Sequence, residues 1–243
     1  MTGFWSLPDL AGADYLWLLD QLHEQLKPRT YLEIGVETGV SLRLARCASV
    51  GVDPDLSRIE GEVSEGKPVC HLFEMTSDAF FRETALPFTI DMAFIDGLHH
   101  FDQVLRDFLN VEKLATPGST ILLHDCIPTD AWLARRDFDD ETFLSQTRFE
   151  RCNWAGDVWK VLPILQQFRP DLTICAFDAA PTGLVAVTHL DPQSDVLRTS
   201  YAEIVSRFMP LTVPNYGELE ILPTISPIAL QRQLGIDVPR AIS

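Results

Sequence analysis

Short apolar runs, most of them ending on an acid, alternate with helix-length stretches through the first half of the chain. The runs fall at 31–34, 49–52, 68–73, 90–95 and 119–123. Each is too short for a helix and suits a buried strand. Between them, 41–47 reads as helical. Residues 101–115 carry Phe101, Val104, Leu105, Phe108 and Leu109 on one helical face, and Pro117-Gly118 punctuates the end. Upstream, Tyr15, Leu18, Leu19, Leu22 and Leu26 recur at helical spacing within 8–27, and Lys27-Pro28 stops that helix. Strand–helix alternation of this kind gives a parallel sheet with helices on both faces.

The second half is less regular. Residues 127–156 are polar and irregular, with Trp132 and Trp154 among them. A loop of that length inside an α/β domain is functional or holds structure of its own. Residues 157–168 read as a helix that Pro163 must kink or shift. Two last strands, 172–177 and 184–188, flank Pro181-Thr182-Gly183 and suit an antiparallel hairpin at a sheet edge. The stretch 190–243 carries Pro192, Pro210, Pro214, Pro223, Pro227 and Pro239. It is expected to form an extended arm or lid, able to embrace a second subunit.

Composition removes several classes of function. Of the 243 residues, 19 are Lys or Arg and 35 are Asp or Glu, a net charge of −16. Such a surface repels nucleic acid and anionic lipid, which are held first through their phosphates. No window approaches the ~20 apolar residues of a membrane span. The start, Met1-Thr2-Gly3-Phe4-Trp5, lacks the basic segment of a secretory signal. The five cysteines, Cys47, Cys70, Cys126, Cys152 and Cys175, are odd in number and form no CxxC. They fit neither a disulfide framework nor a zinc knuckle, which points to a reducing compartment and so to the cytoplasm.

In open parallel sheets, ligands bind beyond the carboxyl ends of the strands. The first such end reads Glu33-Ile34-Gly35-Val36-Glu37-Thr38-Gly39. Its two glycines depart from GxGxxG, the fingerprint that wraps a pyrophosphate. Acids flank both, which suits a ligand without phosphate, even a cationic one. Asp53 ends the second run, 20 residues beyond Glu33. An acid there accepts hydrogen bonds from ribose hydroxyls, a reading preferred to an Asp-Pro turn or helix cap. The other strand-end residues are Ser77-Asp78, Asp96 to His99, and His124-Asp125.

With these residues in order, the chain resembles the class I S-adenosylmethionine-dependent methyltransferases. Phe94-Ile95-Asp96-Gly97-Leu98-His99 and Leu122-Leu123-His124-Asp125 resemble the bacterial small-molecule branch with a DGxH motif, which is similar to metal-dependent sugar O-methyltransferases. Trp154-Ala155-Gly156-Asp157-Val158-Trp159-Lys160 also looks like family sequence. The resemblance covers about residues 28–190. It implies a doubly wound Rossmann-like sheet of seven strands with the last antiparallel, preceded by an N-terminal helix (1–27) and followed by a C-terminal extension (191–243).

The resemblance also implies roles. Glu33, Gly35 and Gly39 would line the methionine and ribose side of S-adenosylmethionine, and Asp53 would hold the ribose. Ser77 and Asp78 would sit beside the adenine, and Asp96 would border the cofactor. His99 would be the general base, assisted by Asp96. Asp96 and Asp125 would hold a metal, Mg²⁺ by the hardness of their oxygens. The acceptor would be a small-molecule or sugar hydroxyl. Cys126 stands where related metal-dependent enzymes often have a further Asp or Asn, and thiolate is too soft for Mg²⁺. That leaves Glu37 and His124 as candidates to complete the shell. The rival readings are an NAD- or nucleotide-sugar-binding enzyme and a non-catalytic methyltransferase-like domain. His100, Arg135 and Arg136 are expected at the surface, and His23, His71 and His189 in structural places. Trp154, Asp157 and Trp159 are expected to serve packing more than substrate contact.

Overall fold

The computed structural model describes residues 10, 12–129, 131–137 and 154–212. The elements run α1 (Tyr15–Leu26), β1 (Thr30–Ile34), β2 (Ala48–Asp53), β3 (Cys70–Glu74), α2 (Ser77–Glu83), β4 (Ile90–Ile95), α3 (Phe101–Leu114) and β5 (Ala115–His124). They continue with α4 (Val161–Phe168), β6 (Thr173–Phe177), β7 (Leu184–Thr188), α5 (Val196–Thr199) and α6 (Tyr201–Phe208). No described helix is long and apolar enough to cross a membrane.

The strands form one sheet in the order β3-β2-β1-β4-β5-β7-β6. β1 to β5 pair in parallel, and β7 is antiparallel to both β5 and β6. This is the seven-stranded, doubly wound sheet with an antiparallel last strand that the sequence implies. After β1 the chain moves to one side of the sheet, and after β4 to the other. The switch point therefore lies between β1 and β4, where such sheets open a crevice.

Register decides what surrounds that crevice. Ile34 pairs with Val52 and with Ile95, and Ile95 pairs with Leu123. The residues that follow, Gly35, Asp53, Asp96 and His124, thus emerge in one row across four strands. Side-chain alternation fills both faces. Leu32, Ile34, Ala93, Ile95, Ile121 and Leu123 pack against α3 and α4. Tyr31, Met92, Phe94 and Leu122 pack against Leu18, Leu19 and Leu22 of α1.

Two expectations change, at 41–47 and in the tail, while the helix of 157–168 has its start shifted as Pro163 requires. Residues 41–47 make only one 3-10 turn, Leu42–Leu44. Ser41 is tied to β1 through Glu33, and Val36, Leu42 and Ala45 lie on the sheet in the same cluster. Gly51 leaves space for them, since a Cβ there would sit 2.9 Å from Val36 and 3.0 Å from Leu42. Residues 157–168 begin with a 3-10 turn, Val158–Lys160, and become α-helical only at Val161. That puts Pro163 in the first helical turn, where its missing N–H is not needed. Residues 191–212 do not extend as an arm. Leu197, Ile204 and Phe208 are buried in the α3 core, and the Tyr201 hydroxyl donates to the Asp102 carbonyl at 2.9 Å. The prolines leave 196–208 free, so four apolar or aromatic positions at helical spacing can form a face. The rest of the expected arm, 213–243, lies outside the described residues, as do 1–9 and 138–153.

One buried ion pair ties the helical layer together. Arg169, after α4, donates to both carboxylate oxygens of Glu112 on α3, at 2.7 and 2.9 Å. Both side chains are buried, and Glu112 also accepts the Asp191 N–H. Removing one partner leaves the other charge buried and uncompensated. Arg169→Ala is expected to lower unfolding free energy by about 3–5 kcal/mol. Urea denaturation checks this, and a loss within ~1 kcal/mol would assign the pair no structural weight.

Candidate active site

At the switch point, the loop after β1 presses against the end of β4. Gly35 adopts φ +89°, and a Cβ there would lie 2.1 Å from the Asp96 carbonyl oxygen, so no other residue fits. Its N–H donates to the Val52 carbonyl at 2.9 Å, and the Asp96 N–H donates to the Ile34 carbonyl at 2.8 Å. Gly39 closes the turn by donating to the Val36 carbonyl at 2.8 Å. Asp53, half-buried, accepts from the Glu37 N–H at 2.9 Å and the Asp55 N–H at 2.8 Å. Each oxygen keeps a further lone pair. Asp53 thus fixes the loop and borders the crevice.

Glu33 is placed differently from an open crevice residue. Its carboxylate is fully buried, accepting from the Tyr31 and Ser41 hydroxyls at 2.7 Å each. Burial pushes its pKa up to about 8, against the pull of those two hydrogen bonds. Ser77 and Asp78 open α2, where both accept from the Gln103 amide at 3.1 and 3.3 Å. Asp78 also takes the Arg106 Nε–H at 3.3 Å, so the pair links α2 to α3.

The ends of β4 and β5 bring four titratable groups together. Asp96 Oδ1 lies 3.1 Å from His124 Nδ1 and 3.6 Å from His99 Nε2. Asp125 Oδ2 lies 3.1 Å from His99 Nε2, and Oδ1 lies 3.4 Å from His124 Nδ1. Asp125 holds φ +61°, a left-handed conformation uncommon outside glycine and tolerated best by Asp and Asn. Its Oδ1 accepts the Thr182 hydroxyl at 2.5 Å, while its buried Oδ2 faces His99 Nε2. Of the two candidates for completing the shell, only His124 joins this group. Glu37 is exposed and paired with Arg58 at 2.6 Å. The Cys126 thiol donates to the His124 carbonyl at 3.4 Å, and burial pushes its pKa well up, so it stays a thiol.

Charge sets the protonation states. Burial alone would raise Asp96, but His124 and then His99 hold it well below the usual carboxylate range. Burial alone would depress His99, but Asp125, Asp96 and the Trp154 carbonyl push it up to about 10. His124 also moves up, against burial, because of Asp96 and Asp125. His99 Nδ1 lies 2.5 Å from the Trp154 carbonyl, which can only accept, so Nδ1 carries a proton. Nε2 is the ring atom that faces the carboxylates and can exchange a proton.

Other elements hold this group in place, and little in the sequence marked them. The Tyr15 ring lies 4.1 Å from the His124 ring, centroid to centroid, although Tyr15 begins α1. Trp154 stacks beside His99 at 5.2 Å. Trp154 therefore touches the site, whereas Asp157 and Trp159 take the packing roles expected. Asp157 accepts the Phe101 N–H at the start of α3, and buried Trp159 donates to the Ala134 carbonyl. Arg136 is not simply solvated, since it pairs with Asp102 at 2.7 Å and Asp157 at 3.2 Å. A cleft of about 270 Å³ lined by His23, Lys27, Arg46 and Cys47 lies at the opposite ends of the strands and includes none of these groups.

Residues 32–126 match a family described as a methyltransferase domain. No curated protein matches the chain in sequence. Among solved structures, it is similar to the O-methyltransferase TomG from Streptomyces achromogenes, involved in tomaymycin synthesis and in complex with SAM. The two are 18% identical over 74% of this chain and 82% of that one, with a TM-score of 0.50. It is similar to an O-methyltransferase from Bacillus cereus in complex with SAH, at 16% identity, 75% and 84% coverage and a TM-score of 0.51. It is also similar to cofactor-bound Rv0187 from MTB, at 17% identity, 75% and 83% coverage and a TM-score of 0.52. The fold is thus the Rossmann-like fold of class I methyltransferases, and the matched segment contains Gly35, Asp53, Asp96, His99 and Asp125.

The raised His99 pKa gives a test with a defined sign. Unfolded, the imidazole releases its proton near 6.5; folded, near 10. Between those values the folded protein binds more protons, so stability falls as pH rises. Glu33 acts with the same sign from 4.5 to about 8, and His124 and the thiols of Cys47, Cys70, Cys126 and Cys175 are raised as well, so the His99 contribution is read as the difference between the parent and His99→Gln from about 8 to 10. Unfolding free energy of the parent is expected to decline across that window more steeply than that of His99→Gln. Parallel profiles in denaturant titrations would show that the carboxylates do not hold this proton.

Proposed function

We propose that the protein is an S-adenosylmethionine-dependent methyltransferase acting on a hydroxyl of a small molecule or sugar. The observation that carries this reading is the adjacency of two features at one switch point. The Gly35 turn and Asp53 border a crevice suited to a nucleoside without phosphates, and Asp96, His99 and Asp125 lie at its β4–β5 side. The methyltransferase-domain match supports it, as do the similar O-methyltransferase structures in complex with SAM or SAH. The missing third glycine disfavours the NAD reading.

Asp53 would accept the ribose hydroxyls, and Gly35 would let the cofactor approach the backbone. The acids around the crevice favour the sulfonium cofactor over its neutral product. His99 Nε2 would take the hydroxyl proton while the oxygen attacks the methyl carbon and the carbon–sulfur bond breaks toward sulfur. Trp154 fixes the ring so that Nε2 is presented. The residues present also fit a divalent cation, because Asp96, His124 and Asp125 each present a ligand atom within 4.8 Å of the others. When bound, such an ion would offset the carboxylates and lower the pKa of an acceptor hydroxyl. His99, relieved of part of their field, would then sit nearer neutral pH, where a base works best.

Calorimetric titration tests the cofactor. S-adenosylhomocysteine is expected to bind with micromolar affinity and NAD not at all. Asp53→Ala should weaken binding at least tenfold, about 1.4 kcal/mol. His99→Ala should bind normally yet lose turnover on any acceptor found. Binding of NAD instead, or an unchanged affinity in Asp53→Ala, would overturn the reading.

A further inference from the structure

We propose that the cation held by Asp96 and Asp125 is a divalent transition metal such as Fe²⁺, Co²⁺ or Zn²⁺ rather than Mg²⁺, with His124 Nδ1 as a third ligand. This rests on the methyltransferase reading only for the site's purpose; the choice of ion follows from the donor atoms. One ligand atom each from Asp96, His124 and Asp125 lies within 4.8 Å of the others. The Asp125 side chain is 5% exposed; its Oδ1 lies 3.4 Å from His124 Nδ1, and its Oδ2 lies 3.1 Å from His99 Nε2. Two carboxylates and one imidazole nitrogen converging in this way form a donor set for a divalent cation.

The imidazole is built in. Its ring is buried, with Tyr15 against it at 4.1 Å and Phe94 at 6.1 Å between centroids. Nδ1 is thereby held toward the two carboxylates and cannot swing away to leave an all-oxygen site. Thr182 sets the tautomer. Its hydroxyl proton goes to Asp125 Oδ1, so its lone pair faces His124 Nε2 at 3.5 Å. Nε2 then carries hydrogen and Nδ1 is the ligating atom, the usual division of labour in a metal-bound histidine. Mg²⁺ keeps water and oxygen ligands and has little use for imidazole, whereas Fe²⁺, Co²⁺ and Zn²⁺ accept it readily. The Cys126 thiol, engaged with the His124 carbonyl, adds no sulfur that would favour a softer ion.

The probe is Co²⁺ added to the full chain after chelator treatment, followed by its visible d–d absorption. S-adenosylhomocysteine binding is measured on the same samples. Co²⁺ is expected to bind at one ion per chain and to resist roughly hundredfold excess Mg²⁺. His124→Asn should weaken Co²⁺ at least about tenfold while S-adenosylhomocysteine binding persists. In the parent, an exchangeable and paramagnetically shifted imidazole N–H resonance should appear, a readout that needs no variant. Displacement by Mg²⁺ at comparable concentration, undiminished Co²⁺ affinity in His124→Asn, absence of the shifted resonance, or no bound ion would each overturn this inference alone. Failure of the parent to bind S-adenosylhomocysteine would instead overturn the methyltransferase reading.

Discussion

Two carboxylates at the ends of neighbouring strands govern this structure. Asp96 follows β4 and Asp125 follows β5, and both point into a space with little solvent. Burying such charges without compensation costs several kcal/mol each. The fold compensates by placing His99 and His124 within 3.1–3.6 Å of them. Those imidazoles must then be oriented, and that requirement reaches into three other segments.

The segment after the long polar stretch is one. Trp154 accepts from His99, and Gly156 lies so close that a Cβ there would meet the His99 carbonyl oxygen at 1.8 Å. Asp157 then caps α3 and pairs with buried Lys160 at 2.8 Å. On the other side, Tyr15 and the Gly12–Asp14 stretch are joined to 178–180 by backbone hydrogen bonds, and Thr182 from the same β6–β7 connection reaches Asp125. The N-terminal helix and the final hairpin thus meet over His124. A site built this way is preorganised by elements far apart in sequence, as catalysis by positioned charge requires.

Much of the fold is legible in the sequence. Ile90–Ile95 and Leu184–Thr188 appeared with their bounds, because a short apolar run flanked by acid, glycine or proline has few alternatives. The helix expected at 41–47 did not form, since its residues serve the sheet surface through Leu42 and the Glu33 carboxylate through Ser41. Tertiary contact outweighed propensity there. In the tail, the prolines on either side of 196–208 mask the helical spacing of Leu197, Tyr201, Ile204 and Phe208.

By itself, the sequence determined the order of strands and turns, the glycine at the first turn, and the acids that end β2, β4 and β5. These are local matters of spacing, conformational freedom and polarity. Only the tertiary structure decided which of those residues meet. Register set Gly35, Asp53, Asp96 and His124 in one row. Packing turned Glu33 inward to Tyr31 and Ser41, tied Asp78 to α3, left Glu37 at the surface and drew His124 into the charged group. The reason is physical: a side chain's partner depends on strand pairing and crossover direction, and no local pattern of residues encodes either.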